Sequence, residues 1–174
     1  MENTKKHSAG ISTKKLVLMT VFTAVAVAGS TFVSFPAGIA RAYPIQHAVN
    51  VIAAILLGPL PAVIIAFMTG LVRILTGTGS LLAFPGGMIG AALAGLLYKY
   101  SGRTWLAVVG EVIGTGIIAS LFAVPYAAIL MGTTVTAFFF MPPFLVSSIS
   151  GAVLGIIVAV RLQAVPAGKR LQSY

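Results

Sequence analysis

The chain has no cysteine and only two acidic residues, Glu2 and Glu111, among 174 positions. Without thiols there are no disulfides, thiolate metal sites or thiol nucleophiles. Two acids and two histidines do not assemble a carboxylate pair, a metal-ligand cluster or a nucleophile triad, so enzyme chemistry has no candidate machinery and neither a metal nor a cofactor is expected. Charge of either sign is scarce: 7% of residues are charged and 59% are hydrophobic, with a mean hydropathy of +1.07. Soluble domains carry about a quarter charged residues, so a water-soluble globule is excluded. The net charge of +9 does not mark a nucleic-acid partner, because the basic residues sit in the tails and between apolar blocks, which is the pattern of membrane topology.

A membrane-crossing helix needs about 20 apolar residues. The chain divides accordingly into one membrane domain over 1–174, with an all-α fold of six transmembrane helices expected at about 16–35, 45–58, 60–76, 84–100, 105–131 and 137–162, and tails at 1–15 and 163–174. Ala26 and Ala28 form an A-x-A pattern within the first apolar run, but the run continues beyond it, too long for a signal-peptide core. A stretch of turn formers, Pro36 to Pro44, is expected as a loop. Gly58, Pro59 and Pro61 break the next two short runs into a tight helical hairpin, and Gly77, Gly79, Gly86 and Gly87 mark a close-approaching loop. That glycine stretch is no phosphate loop, since it lacks the lysine and the strand-to-helix context. Pro125, Pro142 and Pro143 are expected to kink or unwind the last two helices.

Six passes place Lys5, Lys6, Lys14, Lys15, Lys99, Arg103, Arg161, Lys169 and Arg170 on one side, and Arg41 and Arg73 on or near the other, nine against two. The positive-inside rule puts both termini in the cytoplasm, with Tyr98, Tyr100 and Trp105 in the inner headgroup belt. Small residues recur four apart at Ala24 and Ala28, at Gly87, Ala91 and Gly95, at Gly110 and Gly114, and at Gly151, Gly155 and Ala159. Such faces let helix backbones approach closely. Internal packing is the ordinary reading, and a partner-docking face the sharper one.

Polar side chains inside apolar spans are costly and therefore informative. Gln46, His47 and Asn50 share one helical face, which suits either a small polar heterocycle or interhelical hydrogen bonding. Arg73, near the outer end of the third span, either snorkels outward or caps the same cavity, where its fixed donors would meet a ligand acceptor. Tyr43, Phe84, Tyr126 and Phe138 to Phe140 are candidates for stacking on a planar ligand or for interfacial positions. For Glu111, helix depths oppose a pair with Arg73 and leave snorkelling toward Lys99 or Arg103, protonation or a partner contact. His7 lies in a polar tail.

The stretches Tyr43-Pro44-Ile45-Gln46-His47-Ala48-Val49-Asn50, Leu56-Leu57-Gly58-Pro59 and Gly77-Thr78-Gly79-Ser80-Leu81-Leu82-Ala83-Phe84-Pro85-Gly86 resemble the ThiW family. The resemblance implies an S-component-like bundle, the substrate-binding subunit of an energy-coupling-factor transporter in a bacterial-type cell membrane. It further implies capture of the thiamine precursor hydroxyethylthiazole, and partnership with a membrane T component and two ATPases. On this sequence the implied ligand neighbourhood holds Tyr43, Gln46, His47, Asn50, Arg73 and Tyr126, and Ala24 and Ala28 would face the T component. The alternatives are an S component for another thiamine-related vitamin, a structural membrane subunit without a ligand, and a proton-coupled carrier titrating at Glu111.

Overall fold

A computed structural model describes residues 12–166 apart from Ile39 and Thr133. Lys5, Lys6, His7, Lys169 and Arg170 lie outside the described residues. The described chain is helical nearly throughout, in six helices with one short strand pair: α1 Thr13–Phe32, β1 Phe35–Ala37, β2 Ala40–Ala42, α2 Pro44–Leu57, α3 Pro59–Leu75, α4 Ala83–Ser101, α5 Thr104–Met131 and α6 Ala137–Ala164. Of these, α1, α5 and α6 are long and apolar enough to cross a membrane. Leu, Ile, Val and Phe side chains stand exposed along them, among them Val21 and Val25 on α1, Leu121 and Phe122 on α5, and Val153 and Ile157 on α6. An apolar surface of that extent belongs against lipid or another protein.

Helix α1 starts where the Ser12 hydroxyl accepts the Lys15 backbone N–H, satisfying one free donor of the first turn. It stops at Phe32, earlier than the apolar run does, because Pro36 forces the residue before it into extended backbone. The stretch expected as a loop is instead an antiparallel hairpin pairing Phe35 with Ala42, Pro36 with Arg41 and Ala37 with Ala40. Gly38, at φ +66°, takes the left-handed backbone that the turn requires. The Arg41 guanidinium ties the hairpin back to the Ser34 hydroxyl and carbonyl.

Helix α2 is the centre of the molecule. Thirteen of its fourteen residues are buried, and it packs on α1, α3, α4, α5 and α6. A helix of that length rises only about 21 Å, and Gly58, at φ +89°, reverses the chain directly into α3. Backbones approach closely around it: a Cβ at Gly151 would meet the Pro44 carbonyl and lie 2.6 Å from His47 Cβ, and one at Gly155 would lie 2.8 Å from the Ala48 carbonyl oxygen. Gly95 packs against Pro59, while Gly110 and Gly114 pack against the α4 backbone. These small residues therefore serve internal packing, whereas Ala24 and Ala28 are exposed on α1.

None of the three prolines unwinds its helix. The irregular stretch of α5 is Val112–Ala119, which winds as a π-helix and ends before Pro125. The wider turn loosens the carbonyl ladder ahead of the proline, and the Ser120 hydroxyl lies 2.9 Å from the Gly116 carbonyl and 2.7 Å from that of Ile117, where it can donate to either. Pro142 and Pro143 lie in the second turn of α6, and the helix continues through them although neither supplies the N–H that would bond the Phe138 and Phe139 carbonyls. Lys14, Lys15, Lys99, Arg103 and Arg161 fall at one end of the bundle, and the β-hairpin, Arg41 and Arg73 at the other.

Candidate functional site

At the hairpin end a cavity of about 350 Å³ lies between β2, the start of α2, the loop after α3, the first turns of α4 and one side of α6. That is within the size range of small-molecule sites. Its walls include Tyr43, Gln46, His47, Arg73, Thr115 and Phe144.

The upper wall is organised by Arg73, which is 2% exposed and so does not snorkel. Its Nη1 donates to Gln46 Oε1 at 2.5 Å and its Nη2 to the Thr78 carbonyl at 2.9 Å. The guanidinium carbon sits 3.9 Å from the centre of the Tyr43 ring, a cation–π contact that holds the planar group in place. Arg73 Nε is buried with no hydrogen-bond partner. Because Arg73 is in the last turn of α3, the loop that follows folds over it: the Thr78 backbone N–H donates to the Arg73 carbonyl, and a Cβ at Gly79 would lie 2.9 Å from Arg73 Cβ.

The floor is a second polar group one step deeper. His47 Nδ1 lies 2.7 Å from Glu111 Oε1, and Asn50 Nδ2 donates to the same oxygen and to the Gly87 carbonyl, each at 3.1 Å. The Thr115 hydroxyl is 2.8 Å from the Gly86 carbonyl and 3.1 Å from Glu111 Oε1. Glu111 is completely buried, and its Oε2 has no partner. The glycines of α4 make room for this group, since a Cβ at Gly90 would meet Thr115 Oγ1 and lie 2.8 Å from Glu111 Oε2, and one at Gly87 would lie 2.9 Å from Gln46 Nε2. Gly86 and Gly87 thus belong to α4 rather than to the preceding loop, and the close approach they permit is between helices. On the remaining side, Ser147 Oγ accepts the Tyr43 backbone N–H at 2.8 Å.

Tyr43, Gln46, His47 and Arg73 therefore meet at one cavity. Asn50, 1% exposed, lies beneath it and reaches the site through Glu111. Tyr126 is half-buried on α5 and does not line the cavity; it lies roughly 16 Å further along the helix than Thr115. Phe84 stacks on Phe67 at 5.3 Å, Phe138 is 80% exposed, and Phe140 packs on Phe139 and Phe144. The cavity's aromatic walls are Tyr43 and Phe144, the latter absent from the sequence-based candidates. The partner of Glu111 is His47, and not Lys99, Arg103 or Arg73. The signal for that pair was the presence of one acid and one histidine in the whole apolar region.

A second cavity, about 590 Å³, opens at the opposite end around Lys15, Lys99, Tyr98 and the α2–α3 turn. It is walled largely by aliphatic side chains and lacks the convergent donors and acceptors of the first.

Residues 16–165 match the family described as thiamine-precursor transporter protein, ThiW. No curated protein matches the chain.

Proposed function

The chain belongs to the ThiW family of thiamine-precursor transporter proteins, and we propose that it is the substrate-capturing S component of an energy-coupling-factor transporter, taking hydroxyethylthiazole from outside the cell. The observation that carries this reading is the cavity held between Arg73 and His47. Arg73 offers hydrogen-bond donors to a ring nitrogen, His47 meets a hydroxyl, and Tyr43 and Phe144 flank a flat ring. On this reading all six helices cross a bacterial-type cell membrane, and both termini are cytoplasmic. The positive-inside count then turns the hairpin end and its cavity outward. The buried position of α2 supports the topology, because a short helix enclosed by its neighbours has no need to match the lipid thickness.

The sequence offers no phosphate-binding loop, and on this reading the energy for uptake comes from partners, a membrane T component and two ATPases. The exposed Ala24 and Ala28 face of α1 is the surface proposed to meet the T component. Thermal unfolding of the purified protein with increasing hydroxyethylthiazole tests the reading. Ligand at 100 times its dissociation constant stabilises the bound state by about 2.7 kcal/mol, so a rising midpoint is expected, and an unchanged one at millimolar ligand overturns the assignment. Competition by other thiamine-related compounds separates this ligand from its relatives. The buried Glu111 and His47 pair favours a second reading, a proton-coupled carrier acting alone. Uptake into vesicles devoid of ATPase subunits would support that reading instead.

A further inference from the structure

We propose that Glu111 is a positioning residue that fixes the protonation of His47, so that His47 presents Nε2 to the cavity as a hydrogen-bond acceptor and selects ligands carrying a hydroxyl group. The inference rests on the cavity being the ligand site. Asn50 supplies its first support. Its Nδ2 donates to the Gly87 carbonyl, which only accepts, and with its second hydrogen to Glu111 Oε1. The amide is therefore held with its nitrogen toward the carboxylate, and Oε1 is an acceptor. His47 Nδ1, 2.7 Å from that same oxygen, completes the arrangement as an N–H donor.

Charge balance fixes the other nitrogen. The charged and titratable groups facing His47 and its cavity are Glu111 on α5, Arg73 on α3, Tyr43 before α2 and Arg41 on β2, while α4 and α6 contribute none to the cavity wall. Arg41 is exposed and engaged with Ser34, so the buried charges are one guanidinium and one carboxylate. A neutral imidazole leaves these buried groups at zero net charge, whereas an imidazolium, although it would face the carboxylate at 2.7 Å, would leave the enclosed site with one net positive charge. With the proton on Nδ1, Nε2 carries a lone pair. The ring makes no other hydrogen bond among the described residues, and His47 lines the cavity whereas Glu111 does not, so Nε2 is the nitrogen left for a ligand.

The consequence is a division of labour. His47 Nε2 accepts and cannot meet a thiazole nitrogen, which also only accepts; it meets an O–H. Arg73 donates and meets the ring nitrogen. The pair therefore discriminates hydroxyethylthiazole from the same ring with an ethyl group in place of the hydroxyethyl.

The test compares affinity for the alcohol and for the ethyl analogue in the wild-type protein and in Glu111→Gln, which keeps the size of the side chain and removes its charge. Histidine is ¹⁵N-labelled in a His7→Asn background to read the ring of His47 alone. The wild type should prefer the alcohol at least tenfold and show a protonated Nδ1 and a bare Nε2. Glu111→Gln should bring the preference below about threefold, and the ring should lose its single tautomer. A variant that binds both compounds more weakly by the same factor, or keeps the wild-type ring signature and preference, overturns the role of Glu111. If the wild type binds neither compound, the assignment of the ligand fails instead, and the two failures are distinct.

Discussion

The guanidinium of Arg73 lies over the ring of Tyr43 at 3.9 Å and at the same time donates to Gln46 and to the Thr78 carbonyl. Three elements, the segment before α2, the end of α3 and the loop beyond it, are thereby locked around one cation. Lysine keeps the charge but loses the fork that reaches two acceptors at once. Arg73→Lys should weaken hydroxyethylthiazole binding by 10- to 100-fold, as expected for the loss of one charge-assisted hydrogen bond worth about 1.5–3 kcal/mol. Isothermal titration in detergent measures it. Affinity within threefold of wild type would remove Arg73 from the binding wall.

His47 and Asn50 should separate in their effects. His47 lines the cavity and Asn50 lies beneath it, bonded to Gly87 and Glu111. Asn50→Ala takes a donor away from the buried Gly87 carbonyl and from the Glu111 carboxylate, which should cost the apo protein about 1–3 kcal/mol. His47→Ala should instead reduce ligand affinity more than it lowers the apo unfolding midpoint. Thermal unfolding with and without ligand distinguishes them, and the reverse ranking would exchange their roles.

Gly90→Ala drives a methyl group onto Thr115 Oγ1 and the unpartnered Glu111 Oε2. The backbone here is a packed helix pair with little room to yield, so a loss of about 1–3 kcal/mol is expected, together with loss of ligand binding as the carboxylate is displaced. Unfolding midpoints of Gly90→Ala and wild type check this. An unchanged midpoint would mean that α4 and α5 are less tightly joined than the structure has them.

Ala24 and Ala28 are exposed, so enlarging them leaves the cavity untouched. The double substitution Ala24→Leu with Ala28→Leu should preserve ligand affinity while abolishing ATP-driven uptake and co-purification with the T component. Normal uptake would move the docking surface elsewhere on the bundle.

Much of this arrangement is legible in the residues themselves. Gln46, His47 and Asn50 stand out because a buried apolar helix has few reasons to hold three polar side chains, and Arg73 because a cation near a membrane surface must find a partner or a way out. Gly58 with its flanking prolines marks the reversal between α2 and α3. The partner of Glu111 was less legible. Depths counted from span ends assume that each helix fills the membrane, and α2, with fourteen residues, does not. Its register is set by packing against Gly151 and Gly155 of α6 and Gly87 of α4, which no single-helix rule supplies. The π-helical stretch of α5 also changes the angular step between residues, so Thr115 arrives at Gly86 on a face that a regular helix count does not give. The contribution of Phe144 depends likewise on how α6 crosses α4, a tertiary relationship with no local signature.

The central claim is that a small ring alcohol is held between Arg73 and His47, and the position of the bound ligand tests it most directly. A crystal structure of the protein with hydroxyethylthiazole should place the ring nitrogen within hydrogen-bond reach of the Arg73 guanidinium and the hydroxyl beside His47 Nε2. Ligand density at the opposite cavity, beside Lys15 and Lys99, with nothing between Arg73 and His47, would contradict it.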